Sequence, residues 1–174
     1  VITEKLDGEN TNLYAEGMHA RSPAARPHPS QNWVRNLHGR IAHNIPDGWR
    51  VCGENVYARH SIAYDALPSY FFVFGVYDDR NVCLSWAETC LWAELLGLLT
   101  APVLYLGPWD AQAAHAFDDE HTRRPFEGYV IRDASSYRYE DHERHTAKYV
   151  ASRPTTSAHW RHERIVPNGL CDSV

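Results

Sequence analysis

The sequence predicts an α+β domain: mixed, mostly antiparallel sheets with flanking helices. Short runs of alternating or β-branched residues recur along the chain, few segments show helical spacing, and turn residues separate them at short intervals. With 174 residues, 44% of them hydrophobic, the chain is long enough for one well-buried core and short for two. A single domain over residues 1–174 is therefore expected.

Val1 to Leu6 alternates apolar and polar residues, Asp7-Gly8-Glu9-Asn10 supplies turn chemistry, and Thr11 to Ala15 alternates again before Glu16-Gly17 turns into Met18 to Arg21. This reads as a strand meander. Pro23, Pro27 and Pro29 punctuate the next stretch, and Ser30 is placed to cap a helix whose Trp33, Leu37 and Ile41 share a face and which ends before Pro46. Trp49 to Tyr57 and Tyr70 to Tyr77, rich in β-branched and aromatic residues, are strands joined by a loop over His60 to Ser69. Ser85 and Glu88 form a capping box that opens an apolar helix through Leu99. A short strand, Val103 to Leu106, follows Pro102, and a helix is expected from Asp110 to Phe117. Phe126 to Arg132 and Thr146 to Val150 are the last strands, and about 152–174 reads as a surface tail.

Composition excludes several classes. The cysteines Cys52, Cys83, Cys90 and Cys171 show neither paired metal spacing nor a disulfide framework, so they read as reduced thiols in a cytoplasmic protein. The most apolar run, Cys90 to Leu99, is broken by Glu94 and Gly97 and is too short to span a membrane. Val1 to Lys5 lacks the features of a signal peptide, and the chain opens in mid-pattern, as if upstream residues were missing. A formal net charge of -5 argues against a general nucleic-acid coat, so any such contact is local. The candidate patches are Arg21 to Arg26 and Arg138 to Arg164, where cations alternate with aromatic residues; solvated surface charge explains each patch equally well.

Three short motifs can carry chemistry. In Glu4-Lys5-Leu6-Asp7-Gly8-Glu9-Asn10, a lysine ends a strand and precedes a tight glycine turn, which can present an amine to a cleft while backbone approaches a ligand. In Phe126-Glu127-Gly128-Tyr129-Val130-Ile131-Arg132, a carboxylate at a strand's mouth can reach a metal ion bound to phosphates. In Ala147-Lys148-Tyr149-Val150, a lone cation sits within an apolar strand. Each alone suits ordinary turns and sheet faces better than it suits a site.

Their order is more specific. Lys-x-Asp-Gly, then Gly53-Glu54, then Tyr70-Phe71-Phe72-Val73-Phe74, then Glu127-Gly128-Tyr129-Val130-Ile131-Arg132, then Lys148 resembles the covalent nucleotidyltransferase superfamily from near Val1 to about Val150. Glu4 beside Lys5, Asn10 after the turn and Ala20-Arg21-Ser22 look most like its ATP-dependent RNA ligases. The resemblance implies a nucleotidyltransferase domain of the ATP-grasp-like ligase adenylation type. It implies that ATP and Mg2+ or Mn2+ are used, that Lys5 forms a lysyl-AMP, and that AMP passes to an RNA 5′-phosphate which a 3′-OH then attacks. By position, Glu4, Lys5, Asn10, Arg21, Glu54, Phe74 and Lys148 would contact nucleotide, with Phe72 the rival to Phe74, and Glu127 would engage the metal. Two positions depart from the pattern: Thr146 stands where the family's last motif has a first lysine, and Gly75 where the aromatic strand often has an acidic residue. No second domain to clamp nucleic acid is evident. A DNA ligase, a capping-type nucleotidyltransferase, and a catalytically silent nucleotide- or RNA-binding module are the alternatives.

Overall fold

Alternating segments become strands, and hydrogen bonding then divides them between two sheets. The computed structural model describes residues 1–21, 27–151 and 164–171. In chain order the strands are β1 (Ile2–Glu4), β2 (Glu9–Leu13), β3 (Met18–Ala20), β4 (Arg50–Asn55), β5 (Phe71–Tyr77), β6 (Val82–Cys83), β7 (Leu99–Thr100), β8 (Val103–Tyr105), β9 (Gly128–Arg132), β10 (Tyr137–Arg138) and β11 (Thr146–Val150). The helices are α1 (Asn32–Ile41), α2 (Trp86–Leu95), α3 (Ala111–His115) and α4 (His142–His145). One sheet runs β11-β9-β1-β8, and the other β10-β6-β5-β4-β2-β3 with β7 added beside β5. Every pairing is antiparallel except β5 with β7. The expected α+β class with mostly antiparallel sheets is what forms.

The expected meander is corrected. β2 pairs with β3 and β4, whereas β1 pairs with β8 and β9, so the first two strands lie in different sheets. Alternation specifies a half-buried strand but is blind to which edge it joins. The chain therefore crosses between sheets at residues 5–8, within the Lys-x-Asp-Gly motif.

On one face of the larger sheet, Leu13, Val51, Phe71, Val73 and Val76 meet Val34, Leu37 and Ile41 of α1 and Ala93 of α2. The predicted helical face of α1 is thus the buried one, although Ser30 lies in a short preceding 3-10 turn capped by His28 and does not cap α1. The capping box opens α2 as expected: Ser85 Oγ accepts from the Glu88 N–H and the Glu88 carboxylate accepts from the Ser85 N–H. The helix stops at Leu95, short of Leu99. Gly97 takes φ +66°, its N–H donates to Glu94 O and the Leu98 N–H to Ala93 O, a Schellman stop that frees Leu99–Thr100 to pair with β5. The expected helix from Asp110 contracts to α3, with Asp110 as its cap. Tyr129 of β9 and Ile2 of β1 pack on Ala114 of α3, covering the outer face of the smaller sheet. The inner faces of both sheets are left to enclose a cavity.

The expected tail over about 152–174 is also corrected where it is described. Asn168 is 2% exposed, and its side chain accepts from the Tyr64 N–H at 3.0 Å and donates to Val56 O at 2.8 Å. Its carbonyl accepts from Tyr70 Oη at 2.7 Å. Residues 164–171 thus strap the loop between β4 and β5, where an asparagine satisfies backbone groups that the loop cannot pair for itself. Residues 152–163 and 172–174, with most of the expected tail, lie outside the described residues.

Candidate active site

Lys5 follows β1 at the point where the chain leaves one sheet for the other. Its N–H donates to Gly128 O at 2.9 Å, extending the β1–β9 pairing by one residue. That pairing brings the Lys-x-Asp-Gly and Glu-Gly-Tyr-Val motifs side by side, and the Lys5 ammonium forms an ion pair with the Glu127 carboxylate. The glycine of each motif lets a neighbouring strand pack against it, β4 at Gly8 and β11 at Gly128. A Cβ on Gly8 would lie 2.5 Å from Asn55 O, and one on Gly128 would lie 2.0 Å from Tyr149 O, with φ +149° besides. Asp7 does not pair with Lys5. Its carboxylate accepts from the Ser61 and Ile62 N–H groups at 2.7 and 2.8 Å, tying the strapped loop to the turn.

The cavity between the sheets holds about 500 Å³ and is lined by Glu4, Lys5, Asn10, Glu54, Phe74, Arg132 and Lys148, among others. Asn10, Glu54 and Phe74 come from β2, β4 and β5 of the larger sheet, and Lys148 and Arg132 from β11 and β9 of the smaller. Phe72 is 3% exposed and buried with Leu6, Val56 and Tyr64, while Phe74 is half-buried and lines the cavity. A β-bulge falls here: Cys52 pairs with Gly75 and Gly53 with Val73, so Phe74 is the extra residue of β5.

Burial pushes the Glu54 carboxyl up to about 8; the nearby Lys5 pulls it back, while Glu127 and Asp7 push further. Burial also raises Glu127, with the Lys5 ion pair opposing. At neutral pH Glu54 is then largely uncharged, and the cavity wall carries Lys148 and the Glu127-paired Lys5 with Arg132 and Glu143. The two lysines can meet phosphate oxygens there.

Not every expected residue is turned toward the cavity in the same way. Glu4 lines the cavity but is only 7% exposed, and its carboxylate is bound by Arg124 at 2.8 Å. Burial raises its pKa and Arg124 opposes this. Arg21, at the end of β3, is exposed and absent from the cavity lining; its N–H donates to Asn10 O. The basic patch at Arg21 to Arg26 lies mostly outside the described residues, as does much of that at Arg138 to Arg164. Sequence reasoning missed the cavity residues Thr3, Trp86, Tyr137, His142 and Arg132. For Arg132 a signal existed: a lone cation closing an apolar strand, the same pattern that marked Lys148.

Among the described residues, no group of three or more His, Cys, Asp or Glu side chains could hold a metal ion by itself. Glu127, paired with Lys5, fits a hard cation that takes its other ligands from water and substrate phosphates, as magnesium does. No helix among the described residues is long and apolar enough to cross a membrane. The arrangement can bring an amine, phosphate-binding cations, a carboxyl group and an aromatic face to one small polyanionic ligand.

Comparison with known proteins bears on the family and the fold. A family model described as RNA ligase matches residues 1–150. The fold resembles a solved archaeal ATP-dependent RNA ligase (TM-score 0.57, 18% identity over 86% of this chain and 42% of that one). It equally resembles a putative ATP-dependent DNA ligase from Aquifex aeolicus (TM-score 0.56, 19% identity, 86% and 43%). The chain thus spans about two-fifths of the length of these ligases. No curated protein sequence matches it. With the model matching most of its length, the chain belongs to the RNA ligase family.

Proposed function

We propose that this chain is the adenylate-accepting core of an ATP-dependent RNA ligase, with Lys5 as the nucleophile. The Lys5 amine attacks the α-phosphorus of ATP; a P–N bond forms, the α–β P–O bond breaks, pyrophosphate leaves and the amine loses a proton. AMP then passes to an RNA 5′-phosphate, releasing Lys5, and a 3′-hydroxyl displaces AMP to form the phosphodiester. Phe74 stacks on the adenine, Glu54 takes the ribose hydroxyls, and Lys148 binds the α-phosphate and favours the deprotonated amine. Asn10 holds a phosphate or its metal-bound water, and Arg21 contacts RNA from outside the cavity. Glu4 serves through its backbone, since Arg124 holds its carboxylate. Glu127 would hold magnesium or manganese, which when bound neutralises phosphate charge.

The observation that carries this reading is the ion pair of Lys5 with Glu127 where the chain leaves β1, Lys5 itself lining the cavity with Glu54, Phe74 and Lys148. The test is incubation with α-labelled ATP and magnesium or manganese, then denaturation. The label is expected on Lys5 and absent from Lys5→Ala; a wild-type protein that never retains label would end the reading. Nicked RNA and nicked DNA offered to the adenylated protein separate RNA ligase from DNA ligase.

A further inference from the structure

We infer that Arg132 is a positioning residue for Phe74: it reaches from β9 to hold the backbone of the bulge that carries the ring, and Gly75 leaves room for it. The inference rests on the reading of Phe74 as the base-stacking residue. Phe74 is the residue of β5 that the bulge leaves without a partner on β4. Its carbonyl accepts from Arg132 Nη1 at 2.6 Å, and Leu84 O, on the neighbouring segment, accepts from Nη2 at 2.7 Å.

The guanidinium is unusual in its surroundings. Arg132 is 7% exposed, its Nε is buried with no hydrogen-bond partner, and no carboxylate pairs with it among the described residues. The rings of Trp86 and Tyr137 lie 5.6 Å from its central carbon. Core packing alone does not call for this, because an apolar side chain would fill the space without desolvating a charge. The arginine's distinctive contribution is two rigidly spaced donors, which fix two carbonyls at once and with them the peptide plane from which the Phe74 ring projects. A Cβ at position 75 would lie 3.3 Å from Nη1, so any residue larger than glycine presses on the guanidinium.

The test is a double-mutant cycle of Arg132→Met and Phe74→Leu, read by equilibrium binding of α,β-methylene ATP, which cannot adenylate Lys5. Arg132→Met is expected to weaken binding about tenfold, equivalent to about 1.4 kcal/mol, and to add nothing in the Phe74→Leu background. Full additivity, or unchanged binding by folded Arg132→Met, overturns the inference. Should Arg132→Met not fold, Gly75→Ala supplies the same readout: a severalfold weakening that disappears with Phe74→Leu supports it, and no weakening overturns it. In wild-type protein, saturable binding of the analogue together with no Lys5 adduct from labelled ATP refutes the nucleophile and leaves this inference standing. Failure of wild type to bind the analogue refutes both.

Discussion

Asn168→Ala tests whether the strap is part of the fold. The substitution removes two side-chain hydrogen bonds, to the Tyr64 N–H and Val56 O, in a position 2% exposed. A net hydrogen bond contributes about 1 kcal/mol, and a buried group left unpaired costs about 1–3 kcal/mol. With water able to reach one of the two orphaned groups, the loss comes to about 2–4 kcal/mol. For a chain of this size each kcal/mol lowers Tm by about 2–4 °C, so calorimetry should show a fall of roughly 5–15 °C. The consequence extends to the site, because the strapped loop also donates Ser61 and Ile62 N–H to Asp7 and Tyr64 Oη accepts from the Asp7 N–H at 2.9 Å. Amide exchange at Ser61, Ile62 and Tyr64 should accelerate together. A loss below about 1 kcal/mol with unchanged exchange would show that residues 164–171 only rest on the surface.

Other outcomes follow from the same geometry. Glu54 holds its proton to about pH 8 when folded but only to the ordinary carboxylate range when unfolded, so its contribution to stability is complete at low pH and is lost as pH rises through that window. Subtracting the Tm of Glu54→Gln from that of wild type across pH 4 to 9 should give a falling difference, and a flat one would place Glu54 in water. Gly8→Ala should cost about 3 kcal/mol in urea denaturation, since its Cβ would lie 2.5 Å from Asn55 O and 2.9 Å from Val56 Cγ1, both on the chain that leaves β4. Ser85→Ala should cost about 1 kcal/mol by removing the cap of α2. Without the Ser85 Oγ hydrogen bond, the first of the contacts that hold it below the usual carboxylate range, the Glu88 carboxyl should titrate higher in an NMR titration.

Much of this was legible locally. The Ser85–Glu88 capping box, the buried stripe of α1 and the apolar β5 are properties of neighbouring residues, and local sterics and hydrogen bonding decide them wherever the segment lies. Lys5 was legible as a candidate because a lysine before Asp-Gly marks a strand end and a tight turn. Where helices stop was less legible, because the end of α2 depends on Gly97 taking a conformation that also suits β7.

By itself, then, the sequence determined the element types, the presence of an antiparallel α+β core and the ordered residues resembling the RNA ligase family. Only the tertiary structure decided that β1 leaves β2 for β9 and so brings Lys5 against Glu127, 122 residues away. Only it put Phe74 and not Phe72 on the cavity, brought Arg132 to the Phe74 carbonyl, engaged Glu4 with Arg124 and turned part of an expected tail into a strap. The physical reason is common to all of them. Backbone hydrogen bonds between strands are chemically identical whichever strands they join, so partner and register are settled by which side chains are buried together once the whole chain has collapsed.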